Sequence, residues 1–64
     1  MTALDTLVLS QLTSGLQDVN TIRALVQTAG TNVGKFHIVA SLRRLYRANL
    51  ANRHDGQYQL GPVQ

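Results

Sequence analysis

The residues whose chemistry stands out in this chain are basic, and they lie in its second half. Residues 31–64 carry five lysines and arginines against one aspartate, whereas residues 1–30 carry one arginine against two aspartates. Arginine can donate two hydrogen bonds to guanine O6 and N7, or bind a phosphate in the same bidentate way. A basic face indicates a polyanion, most often nucleic acid, although a merely solvated face would carry the same charge. The five residues are Lys35, Arg43, Arg44, Arg47 and Arg53.

Other kinds of site lack the residue types that they need. The sequence has no cysteine, and its two histidines, His37 and His54, fall on different predicted elements. Neither a nucleophile–histidine–acid constellation nor a zinc site can be assembled from this set. Residues 30–35 also lack the spacing of a phosphate-binding loop. We therefore expect no enzyme, catalytic residue, metal, cofactor or small-molecule ligand.

Three stretches have the apolar spacing of amphipathic helices. The predicted helices cover about residues 3–13, 18–29 and 34–48. Residues 16–17 form a short link that could add one rung of a strand. Residues suited to begin or end the helices lie at their predicted boundaries, and they are Thr2, Asp18, Gly30, Gly34 and Asn49.

The chain after the third helix has the pattern of a β-hairpin. Asp55 and Gly56 form a two-residue turn signal between two polar–apolar runs, at about residues 50–53 and 57–60. Arg53 and His54 lie at its tip. In a winged module such a tip is held over phosphates or in the minor groove. The alternative is an ordinary exposed turn.

The third helix separates its side chains into two faces. At 100° per residue, Ile38, Leu42 and Leu45 face the core, and the basic residues face outward. No acidic residue lies on this helix, so we expect its arginines to be unpaired and Arg44 to be dispensable for stability. Phe36 either contacts a thymine methyl or packs back onto the first two helices. The expected outward set is Phe36, His37, Ala40, Arg43, Arg44 and Arg47.

The whole chain, residues 1–64, is expected to form one small domain. We find no signal peptide and no apolar run of about 20 residues, so the prediction is a cytoplasmic protein without a membrane span. The fold class predicted from the pattern is mainly α with a small β-hairpin. Its expected core residues are Leu4, Leu7, Val8, Leu12, Ile22, Leu25, Val26, Ile38, Leu42, Leu45 and Leu60.

Residues 33–50 resemble the recognition helix of bacterial winged helix-turn-helix regulators, which ends in the pattern L-x-x-L-x-x-x-G-L. Leu42, Leu45, Asn49 and Leu50 fill that pattern, with Asn49 in place of the glycine. Residues 56–62 are similar to the wing end of IclR-type DNA-binding domains. The resemblance implies a three-helix winged helix-turn-helix. If the chain is a whole protein, it resembles the minimal regulators of phages and plasmids. If it is a fragment, it resembles a regulator without its ligand-sensing part.

The predicted function is that of a double-stranded DNA-binding module, a small transcriptional regulator. The third helix would read the major groove, and the wing would contact the backbone or minor groove. A single domain of this size covers about half of an operator, so we also expect a homodimer on DNA. The alternative is a winged-helix module that binds protein. The predicted DNA contacts are Lys35, Phe36, His37, Ala40, Arg43, Arg44, Arg47, Arg53 and His54.

Overall fold

The structure, a computed structural model, describes residues 1–62 and has the predicted fold class. Three helices precede a two-stranded antiparallel hairpin. The helices and strands are α1 (Ala3–Gln11), α2 (Val19–Thr28), α3 (Lys35–Arg47), β1 (Ala51–His54) and β2 (Gln57–Leu60). Each predicted helix was two residues too long, mainly because the predictions included capping residues. None of the helices in residues 1–62 is long and apolar enough to cross a membrane.

Local side-chain chemistry begins each helix. At α1 the Thr2 hydroxyl accepts the backbone N–H of Asp5 at 3.0 Å, and the Asp5 carboxylate accepts the N–H of Thr2 at 3.3 Å. This reciprocal pair is a capping box. At α2 the Asp18 carboxylate accepts the N–H of Thr21 at 2.7 Å. Gly34 caps α3 without a side-chain bond.

Residues with positive φ end two helices and close the hairpin. Gly30, with φ of 101°, follows α2, and Asn49, with φ of 64°, follows α3. The turn between the strands has φ of 51° at Asp55 and 76° at Gly56, as a two-residue type I′ turn requires. Asparagine, aspartate and glycine tolerate this region best, so these turns follow from the sequence.

The hairpin is bonded to the link between α1 and α2. Gln17 and Tyr58 exchange two backbone hydrogen bonds of 2.9 and 2.8 Å. The N–H of Leu60 donates to the Thr13 carbonyl at 2.7 Å. The link therefore supplies the predicted extra rung, as an isolated antiparallel bridge beside β2. Because of these bonds, the position of the hairpin relative to the helices is fixed.

The core lies between the three helices and one face of the hairpin. Leu60 was predicted there but is 48% exposed, so that prediction is wrong. It is the last residue of β2, just before the chain turns away at Gly61. Ala51 and Tyr58 supply the buried hairpin side chains instead. The buried apolar residues are Val8, Leu12, Ile22, Val26, Ile38, Leu42, Leu45, Ala51 and Tyr58.

Candidate nucleic-acid interface

The outward face of α3 forms a shallow surface depression. It is an open concavity of about 370 Å³, and five of the nine predicted contact residues line it. They come together because residues spaced three and four apart share one face of a helix. Val39 also contributes. The lining residues are Phe36, Val39, Ala40, Arg43, Arg44 and Arg47.

Phe36 projects from the first turn of α3 and is 89% exposed. The alternative that it packs back onto α1 and α2 is therefore wrong. Two positions further along α3, Ile38 is fully buried. Since two positions correspond to about 200° around a helix, Phe36 points away from the core. It gives the basic face an apolar contact surface.

Arg44 has a buried acidic partner that its own helix does not supply. Its Nε donates to Asp5 Oδ1 and Oδ2 at 3.1 and 3.0 Å, and its Nη2 donates to Oδ1 at 2.8 Å. The Asp5 side chain is 2% exposed, and that of Arg44 is 46% exposed. The prediction that Arg44 is unpaired is therefore wrong, because it did not consider partners on other helices.

Further hydrogen bonds complete the environment of Asp5. Ser41, fully buried on α3, donates its hydroxyl to Asp5 Oδ1 at 2.6 Å. The Arg44 hydrogen bonds hold the pKa of the Asp5 carboxyl far below its usual value, with smaller contributions from Ser41 and Thr2, although burial opposes the shift. The same hydrogen bonds raise the pKa of Arg44. Asp5 is therefore ionised at neutral pH.

The hairpin carries its basic side chains separately from the concavity. The Arg53 guanidinium carbon lies 5.0 Å from the centroid of the Tyr46 ring, a cation–π contact that places this charge beside α3. His54 Nε2 lies 3.4 Å from Asp55 Oδ2, and both side chains are largely exposed. Lys35 and His37 are exposed in the first turn of α3, outside the lining of the concavity.

Side-chain bonds also hold the link between α2 and α3. Arg23 Nε donates to the Val33 carbonyl at 3.3 Å, and Gln27 Nε2 lies 3.4 Å from Asn32 Oδ1. These contacts orient α3 relative to α2, so the one basic residue of the first half has a structural contact.

Sequence reasoning missed three residues that support this face: Asp5, Ser41 and Tyr46. A serine at a core-facing position of α3 was the available signal, since a buried hydroxyl needs a hydrogen-bond partner. Its partner could not be identified without knowing how α1 packs on α3.

Within residues 1–62 no group of three or more histidine, cysteine, aspartate or glutamate side chains could hold a metal ion.

Comparisons with known proteins found no matching family model, curated protein or solved structure. The resemblance to winged helix-turn-helix regulators therefore remains a prediction from the sequence, and the functional argument depends on the geometry of α3 and the hairpin.

Proposed function

We propose that this chain is a double-stranded DNA-binding module that acts as a small transcriptional regulator. The observation that carries the proposal is the composition of the concave face of α3. This face presents arginines and an exposed phenyl ring. The Asp5 carboxylate, which contacts Arg44 of this face, is turned inward and is 2% exposed. A surface of this kind attracts phosphates without repelling them.

The dimensions and side chains of α3 suit a major groove. Its 13 residues span about 20 Å, and a B-DNA major groove about 12 Å wide admits an α-helix. Ala40, small and exposed, allows the helix to approach the base edges closely. Arg43 and Arg47 can reach guanine edges or phosphates, and Phe36 can contact a thymine methyl group.

The hairpin supplies a second contact beside the helix. Arg53 is exposed and lies against Tyr46 of α3, so a duplex held by α3 would have this charge close to it. We assign Arg53 and His54 to the phosphate backbone or the minor groove. Contacts of this kind position a protein on the duplex without reading its sequence.

A second candidate function is protein binding by the same face. Phe36 at 89% exposure, beside Val39, is the observation that favours it, because exposed aromatic residues are typical of the centres of protein interfaces. The two candidates differ in their dependence on charge. DNA binding weakens steeply with salt, whereas an interface centred on a phenyl ring depends mainly on Phe36.

The test is a mobility-shift titration with random duplex DNA at several salt concentrations. We expect Arg43→Ala, Arg47→Ala and Arg53→Ala each to weaken binding and to lower the salt slope by about one. Arg43→Lys is the control, because it changes the side chain at one of the same positions but keeps its charge, and it should leave the salt slope unchanged. Thermal melts of every variant check that it is folded.

Two results would contradict the proposal. One is that the wild-type protein does not shift duplex DNA at low salt. The other is that the three α3 and hairpin variants bind as the wild type does. If Phe36→Ala then abolishes capture of a protein partner while Arg43→Ala does not, the protein-binding function replaces DNA binding.

A further inference from the structure

The hydrogen-bonded cluster of Asp5, Ser41 and Arg44 joins α1 to the proposed DNA-binding face. Asp5 belongs to α1 and is almost completely enclosed, yet its carboxylate reaches a side chain that lines the concavity. An ion pair, whether exposed or buried, often adds little net stability. The cluster therefore calls for a reason beyond the stability of the fold.

The hydrogen bonds fix the direction of the Arg44 guanidinium. Nε and Nη2 both donate to the Asp5 carboxylate, which leaves Nη1 without a bond to Asp5. The side chain is still 46% exposed. Arg44 therefore presents donors of fixed orientation to a ligand in the concavity. Because the side chain is already ordered, binding does not have to order it.

The pairing also changes what Arg44 contributes to the charge of the face. An arginine and a carboxylate in contact form a neutral unit, so this pair adds little attraction for phosphates. Arg43 and Arg47 form no ion pair within residues 1–62, and both are exposed. Arg43 and Arg47 therefore supply the long-range attraction for phosphates. Arg44 supplies a hydrogen-bond donor that is oriented and whose charge is neutralised.

We infer that Asp5 is a positioning residue that makes duplex binding selective for sequence. By holding Arg44 it provides a directed donor for a base edge, and it also removes a charge that would bind any phosphate. This inference rests on the proposed DNA-binding function. It assigns the selectivity of the face to a residue on α1 that does not itself line the concavity.

The test compares a random duplex with a duplex that the wild-type protein selects from a randomised pool. Asp5→Asn should steepen the salt slope on random DNA by about one, because Arg44 gains an uncompensated charge. The preference for the selected duplex should fall at least about fivefold, the smallest effect of losing a good bidentate base contact. The double variant Asp5→Asn/Arg44→Gln keeps the net charge, so its salt slope should match the wild type while its preference falls.

Asp55→Asn is the matched control. It makes the same change in net charge on the exposed hairpin turn, where asparagine suits the φ of 51°. It should keep the wild-type preference. An equal loss of preference in this control would mean that net charge alone sets selectivity, and the inference would be wrong.

The remaining outcomes also decide the matter. Full preference in a folded Asp5→Asn protein overturns the inference, as does full preference in the double variant. If Asp5→Asn is unfolded at the assay temperature, the double variant, which lacks both members of the ion pair, still overturns the inference if it keeps full preference. If the wild type binds no duplex DNA, the proposed function and this inference both fall. If it binds through Arg43 and Arg47 but is indifferent to Asp5, only the inference falls.

Discussion

A buried carboxylate is costly unless hydrogen bonds replace the water that it loses. Asp5 meets this condition with donors from the Thr2 backbone, the Ser41 hydroxyl and the Arg44 guanidinium. Bonds from charged donors are roughly twice as strong as neutral ones, which explains why the Arg44 bonds dominate the lowered pKa of Asp5. A single residue of α1 thus both caps its own helix and fixes a side chain on α3.

The lowered pKa of Asp5 predicts how the stability of the protein depends on pH. The pKa of Asp5 is lower in the folded state than in the unfolded state. The contribution of its ionised carboxylate to stability is therefore complete above about pH 5 and is lost as the pH falls. We expect the free energy of unfolding of the wild type to exceed that of Asp5→Asn by about 1–3 kcal/mol at pH 7. The difference should shrink below about pH 4.

Denaturant melts of both proteins between pH 7 and pH 2 measure this difference. The pKa of Asp18 is also lowered, mainly by the hydrogen bond from the Thr21 N–H. Both proteins retain that group, so its contribution cancels when the two are compared. A difference that stays constant down to pH 2 would show that the Asp5 carboxylate is not the group that titrates.

At the scale of elements, α3 serves the core and the proposed interface with opposite faces. Leu42 is fully buried and Leu60 of β2 is half exposed. Leu42→Ala should cost about 2–5 kcal/mol, because it removes buried methyl groups and leaves a cavity. For a domain of this size that is much of its stability. Leu60→Ala is the control and should cost less than about 1 kcal/mol.

Denaturant melts of the two alanine variants provide the measurement. They test the assignment of faces, since both changes remove the same atoms. If the Leu60 variant loses as much stability as the Leu42 variant, the hairpin covers the core more completely than its exposed fraction indicates. A loss below about 0.5 kcal/mol for Leu42→Ala would mean that the buried face of α3 is misassigned.

The elements themselves were predictable because short-range rules determine them. Helix periodicity, the Thr2 and Asp18 caps, the positive φ of Asn49 and the Asp55–Gly56 turn all depend on neighbours within about four residues. They gave the three helices and the hairpin nearly to the residue. Five of the residues expected at the site also came together, because helical spacing alone brings them to one face.

The features that were missed depend on how elements pack. The Asp5–Arg44 pair joins residues 39 positions apart, and the exposure of Leu60 depends on where β2 crosses the core. Phe36 had two alternatives that only the orientation of α3 could separate. The contacts that were missed are those that position the site, whereas the residues that line it were largely predicted.

At the scale of the whole molecule, size bears on how the protein would occupy DNA. The domain measures 31 × 21 × 18 Å along its principal axes. Under the proposed function, one α3 helix would read only a few base pairs, and one domain would cover about half of an operator. Half-sites one helical turn apart are about 34–36 Å from centre to centre. Two copies therefore fit side by side on one face of the duplex without overlap.

We accordingly predict that the protein binds DNA as a dimer, with half-sites about 10–10.5 base pairs apart. Footprinting on a selected site should show two protected segments, and titration should give two chains per duplex with cooperative binding. A duplex with about 5 extra base pairs between the half-sites places the two copies on opposite faces of the DNA, so cooperativity should disappear. One short protected segment that a single copy occupies at high affinity would contradict the prediction, because α3 and the hairpin of one domain would then contact enough DNA alone.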